Sequence, residues 1–486
     1  MLSNWKGLLR AAAVAGAIAS AGCAGGGRPA LPASGSTLVA TWIDPSGAGR
    51  LQPGPGEAMV ARTALAPRAR LVRPLATFAQ LADAHVTDEE SPARVEMLDR
   101  LGPPFTSAFR PQEALTPFVL AAVVRTIDRL HPNAVFETGD LIDNDQENEL
   151  DQALAVLRGG RVDPGSGGRG YQGVQAASNP DPLIYRPDVD APRYPGLLAR
   201  AERPFTSPGL QAPWYPLPGN HDLLVQGNLA RTARTEAVAV GSRKLLTLDQ
   251  RAVSAVRRRR LRAAVIDRLL AGGLPGRAIS VTPDPRRREL PAAAVIARVR
   301  AASGHGGTGP FMDDAVDLAP TVRAILLDTT RRRRGAGGIL RPSQIRWLER
   351  QLAAAGGRWV LVFSSTPLTE TAGAGPARRL LDRDPHVVAA VAGDVHRDSI
   401  RPRPTPMGGY WLVTTSSLVD YPQQARAFRL WQTASGGVAL QTWMLDADPA
   451  WRLANVSRRL AYLDYQGGRP NGLAGTPADR NAVLYR

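Results

Sequence analysis

Asp83-x-His85, Asp140, Asn220-His221 and Asp394-x-His396 are the side chains of this sequence whose types and spacing could do chemistry. Carboxylate and carbonyl oxygens suit hard divalent ions, and imidazole admits Mn, Fe or Zn. Two such ions a few ångströms apart acidify a water, orient a phosphate ester and absorb developing charge. One Asp-x-His pair alone is a common structural feature. Gly219-Asn220-His221-Asp222 is more specific, and it is the four groups in this order that point to metal-dependent hydrolysis.

Positioning these groups requires strands that end where the ligands begin. Ala76 to Leu81 reads as a strand running into Asp83, and Pro117 to Leu130 has helical apolar spacing with Pro117 in the first turn. Ala134 to Thr138 is a strand running into Gly139-Asp140. Strand, helix, strand, with chemistry at each strand's C-terminal end, is a βαβ signature. Further strands are expected at Arg323 to Leu327, Trp359 to Phe363, His386 to Ala392, Tyr410 to Thr415 and Ala427 to Trp431, with an amphipathic helix over Pro342 to Leu352. Residues 158–213 and 225–320 read as insertions, the second partly helical at Val253 to Leu270. Residues 23–70 read as a tether, 71–460 as the folded domain, and 461–486 as a peripheral tail.

Asp83-x-His85, Gly139-Asp140-x-x-Asp143, Gly219-Asn220-His221-Asp222 and Gly393-x-x-His396 together resemble the ordered motifs of calcineurin-like metallophosphoesterases. The stretches Asp88 to Arg94 and Asp143 to Gln146 resemble an exported, long-insert branch. The resemblance implies an α/β fold, a sandwich of two mixed β-sheets flanked by helices, and hydrolysis of phosphoric esters by a metal-activated water. It implies that Asp83, His85, Asp140 and His396 hold a first, firmly bound Fe, Mn or Zn ion. Asp140 and Asn220 would share a second. His221 would act as general acid–base, with Asp143 fixing its tautomer.

Two positions depart from the family pattern. Ser365 stands where a metal-binding His precedes Pro367, and Asp394 stands where the sixth motif has His. Both changes fall on the second metal. An oxygen-rich site of Asp140, Asn220 and Asp394 would hold a weaker Mn or Mg ion. The same changes suit an alternative, a one-metal binding protein on the same fold. Of the remaining histidines, His131 and His386 read as structural. His305, in a Gly-rich loop, could swing towards the second site but reads as a solvated residue.

Across 486 residues, 44% of them apolar, the chain can build a large core, and 48 Gly and 41 Pro imply long loops. The net charge of +17 comes almost wholly from Arg; Lys occurs only at Lys6 and Lys244. Such a field suits phosphate esters or anionic lipid. The Arg runs lack interleaved aromatics, so no nucleic-acid partner is expected. The sole cysteine, Cys23, excludes an internal disulfide and any Cys-based zinc site. Lys6 and Arg10, an apolar stretch from Leu8 to Ala19, and Ser20-Ala21-Gly22-Cys23 form a secretory signal over residues 1–22. It resembles a bacterial lipobox, which implies lipidation of Cys23 and anchoring on the extracytoplasmic face of a membrane.

Overall fold

Leu71–Leu81 forms an eleven-residue strand whose second half is buried. Its exposed start is Val72, Arg73 and Pro74, whereas Ala76, Phe78 and Leu81 are apolar and buried. The computed structural model describes residues 35–102, 105, 107–258, 276–333, 335–469 and 472–486. The signal-peptide and Cys23 readings lie outside the described residues, as does most of the helix expected at Val253 to Leu270.

Two mixed sheets face one another. In chain order their strands are β1 (Val60–Arg62), β2 (Leu71–Leu81), β3 (Ala134–Thr138), β4 (Trp214–Leu217), β5 (Asp314–Ala319), β6 (Val322–Leu327) and β7 (Trp359–Ser364). These are followed by β8 (Val387–Ala392), β9 (Ser399–Arg403), β10 (Tyr410–Thr414), β11 (Gln424–Thr433), β12 (Val438–Asp446) and β13 (Ala482–Tyr485). The first sheet runs β1-β13-β12-β11-β2-β3-β4, and the second runs β5-β6-β7-β8-β10-β9. Within them β2, β3 and β4 are mutually parallel, as are β6, β7, β8 and β10. Parallel neighbours deliver their C-terminal ends to one edge, which is why ligands far apart in sequence meet.

Aromatic rings fill the space between the sheets. Phe136 stacks on Phe363 at 3.8 Å and Phe78 meets Phe363 edge-on at 5.9 Å, so side chains from both sheets interlock. Helix α1 (Thr116–Leu130) is buried over most of its surface. His131 closes it in a left-handed conformation, the structural role expected of it. Helices α2 (Pro342–Ala355) and α3 (Gly375–Arg383) cover the second sheet with Leu348, Leu352 and Leu381.

Three boundary expectations change. Residues 461–486 are not peripheral: β13 is buried and hydrogen-bonded to β12 on one side and β1 on the other. The apolar run Ala482-Val483-Leu484-Tyr485 is too short for periodicity to reveal its placement. Part of the expected tether likewise enters the sheet as β1, held by that strand. The second insertion ends earlier than expected, because Asp314–Ala319 pairs with β6 as an edge strand. Nor is the Arg excess merely solvated: Arg94, Arg287 and Arg426 are buried against carboxylates.

Candidate metal centre

Asp83 and His85 follow β2, Asp140 follows β3, Asn220 and His221 follow β4, and Asp394 and His396 follow β8. Five of these seven residues adopt positive φ: Asp83 54°, His85 44°, Asp140 51°, Asp394 68° and His396 52°. This conformation is unfavourable for residues with a Cβ and is concentrated at functional sites. Each chain end is turned sharply so that a side chain enters a cleft of about 330 Å³ lined by His85, Asp140, Asn220, His221, Asp394 and His396. The turns leave no room elsewhere: a Cβ on Gly219 would lie 2.1 Å from the Asp140 carboxylate.

Asp83, His85 and His396 bring ligand atoms close enough together to hold one ion. His85 Nε2 and His396 Nε2 face each other at 3.3 Å. The opposite nitrogens are both committed. His85 Nδ1 lies 2.9 Å from Asp143 Oδ1, and His396 Nδ1 lies 2.6 Å from Asp420 Oδ2. A carboxylate can only accept, so each Nδ1 carries the proton and each Nε2 presents a lone pair. Carboxylate oxygens complete the surroundings, Asp83 Oδ1 at 3.6 Å from His396 Nε2 and Asp140 Oδ2 at 3.9 Å from His85 Nε2.

The electrostatics agree. Burial, then the charges of Asp140 and Asp394, holds the Asp83 carboxyl well above the usual range. Burial pushes Asp140 up to about 7, and burial with Asp140 pushes Asp394 up to about 7. Burial pushes His85 down to about 3. Converging lone pairs and mutually repelling carboxylates are the donor set that a divalent cation fits. Asn220 Nδ2 donates to the Gly227 carbonyl at 3.0 Å, which leaves its Oδ1 as the free ligand atom.

Asp143 does not orient His221 with its carboxylate. Its Oδ1 is taken by His85 and its Oδ2 by Arg94, while His221 Nδ1 meets the Asp143 main-chain carbonyl at 2.7 Å. The expected tautomer is still fixed, because a carbonyl also only accepts. Although burial opposes it, Arg94 and the His85 hydrogen bond hold Asp143 well below the usual carboxylate range. Asp222 clamps loops, accepting from Gly219 N at 2.7 Å and Ile142 N at 3.0 Å.

Asp420 escaped the sequence reading. It accepts from His396 and from Arg110 Nε at 2.6 Å, so Arg110–Asp420–His396 parallels Arg94–Asp143–His85. The available signal was an acid a few residues beyond a strand end, in Ser417-Leu418-Val419-Asp420. The tail contributes too, with Asp464 and Gln466 lining the cleft. The altered second-site positions are both accounted for. Ser365 is buried with its Oγ 2.8 Å from Thr329 Oγ1, and the Asp394 side chain lines the cleft. His305 does not reach the centre; its ring packs on Tyr215 at 4.1 Å.

Two mixed sheets flanked by helices, with this donor set at their strand ends, are the architecture that the motif resemblance leads one to expect. No family model and no curated protein matches the chain. Among solved structures it is similar to a dimetal phosphatase from Danio rerio, with 13% identity, TM-score 0.40, and 77% of this chain and 97% of that one covered. It is also similar to a purple acid phosphatase from yellow lupin seeds, with 10% identity, TM-score 0.34, and coverage of 83% and 57%. A third is the sulfate thiohydrolase SoxB of Thermus thermophilus in complex with glycerol, with 12% identity, TM-score 0.31, and coverage of 82% and 62%. Likenesses this distant carry no chemistry.

Proposed function

We propose that this chain is a metal-dependent hydrolase of phosphoric esters. The observation that carries the reading is the pair of imidazole Nε2 atoms 3.3 Å apart, each backed by a buried carboxylate, in a cleft also lined by Asp140 and Asn220, with Asp83 Oδ1 3.6 Å from His396 Nε2. Asp83, His85, His396 and Asp140 would hold one ion firmly, and Asp140, Asn220 and Asp394 a weaker one. Bound divalent metal supplies Lewis acidity to an ester oxygen and to water. Asp143 and Asp420 keep the two ligand imidazoles in the lone-pair tautomer. His221 holds its Nδ1 proton on a carbonyl and exchanges a proton with the leaving oxygen through Nε2. The test is hydrolysis of a panel of phosphate esters by chelator-treated protein on adding Mn²⁺, Mg²⁺ or Zn²⁺. Absence of metal-dependent turnover on every ester would defeat the proposal.

A second reading, a one-metal binding protein, is favoured by Ser365, whose hydroxyl is engaged by Thr329. Metal content after dialysis separates the two when combined with turnover: one ion and no turnover fits only the second. We also propose that the protein works outside the cytoplasm, anchored through lipid on Cys23. Among the described residues no helix is long and apolar enough to cross a membrane. Cys23→Ser should move the protein from the membrane to the soluble fraction, and continued lipid labelling of that variant would refute the anchor.

A further inference from the structure

Asp145 is fully buried, and neither of its carboxylate oxygens has a hydrogen-bond partner. No other carboxylate among the described residues is left with both oxygens buried and unpaired. Beside it lies Glu289, 2% exposed, whose Oε1 is likewise unpartnered. The backbone joins the two segments that carry them. Leu290 N donates to the Asp145 carbonyl at 2.7 Å, and Gln146 bridges to Glu289. The other oxygen of Glu289 accepts from Thr235 Oγ1 at 2.6 Å. Arg231 and Glu236 also act on Asp145, and these pair with one another at 2.5 Å.

We infer that Asp145 and Glu289 form a binding site for a hard divalent cation, calcium by its chemistry, separate from the catalytic cleft. Three unsatisfied buried carboxylate oxygens and no imidazole or thiolate suit an oxygen-seeking ion. Burying such oxygens unpaired is costly, and an ion is one of the few ways to satisfy them. Calcium takes about 6–8 oxygens, so main-chain carbonyls or water would complete the shell. The site joins two segments that the sequence separates widely. One is the loop bearing Asp143, which orients His85 and His221; the other is the insertion around Glu289. Filling it would brace the loop that sets both imidazoles.

The experiment uses the full chain with its catalytic centre saturated by Mn²⁺, dialysed against radiolabelled calcium. One calcium per chain is expected, together with a melting temperature that climbs with calcium concentration. Asp145→Asn and Glu289→Gln should each weaken that binding about tenfold or more. Asp394→Asn, which alters only the cleft, should leave it intact. Three results would overturn the site: no calcium beyond the manganese sites, unchanged binding in Asp145→Asn, or loss of binding in Asp394→Asn. A wild type blind to calcium, with both amide variants more stable than it, would show instead that the two acids share a proton.

Discussion

Asp420→Asn separates metal affinity from fold stability. The carboxylate accepts from His396 Nδ1 at 2.6 Å and from Arg110 Nε at 2.6 Å, in a buried position. Burial pushes its pKa up, but Arg110 and His396 overcome this and hold it far below the ordinary carboxylate range. The amide is isosteric but uncharged, and its NH₂ can donate to Nδ1, favouring the tautomer with the proton on Nε2. Loss of such an outer partner weakens metal binding about 10–100-fold, or about 1.4–2.7 kcal/mol. Separately, Arg110 is left as a buried cation without its anion, a loss of about 3–5 kcal/mol in comparable cases. Arg110 NH1 keeps the Ser107 carbonyl at 3.1 Å, so the lower end applies. The assays are metal affinity by chelator competition and stability by urea unfolding. Adding Arg110→Gln should restore most of the stability without restoring metal affinity. Wild-type affinity in Asp420→Asn would refute the claim that this carboxylate sets the His396 tautomer.

His221→Ala should lower kcat on an unactivated ester by about 10²–10⁴-fold with metal content retained; an unchanged kcat on such an ester excludes proton transfer by this residue. Gly227→Ala should impair turnover, because its Cβ would lie 2.5 Å from both His221 Nε2 and Asn220 Nδ2 at a φ of 67°; wild-type kcat and metal content would show that the loop shifts freely. Burial, then Asp88, pushes Glu90 up to about 8. The folded chain therefore holds a proton that the unfolded chain releases near 4.5, and stability falls as pH rises through that window, by at most about 1.4 kcal/mol per pH unit. Glu90→Gln should flatten that fall in urea titrations between pH 5 and 8 (roughly the window just given), and an unaltered slope would show that other acids cause it.

The sequence by itself determined the strand–ligand units. Apolar runs such as Ala134 to Thr138 and Trp359 to Phe363 are long enough to reveal buried strands, and a ligand type placed just after each run is a local feature. The order of Asp83, His85, Asp140, Asn220, His221 and His396 was therefore legible, and parallel pairing brings them to one edge. Tertiary structure alone decided what stands behind the ligands. Asp420 pairs with Arg110 across 310 residues, and the Asp143 carboxylate meets His85 and Arg94 while His221 is held by its main-chain carbonyl. The same holds for β13, whose four residues carry too short a pattern to announce a strand between β12 and β1. Partner choice among buried polar groups depends on which surfaces folding brings together, and a hydrogen bond leaves no periodicity in the chain. Local pattern fixes the elements; the pairing of charges across them is set only when the two sheets close.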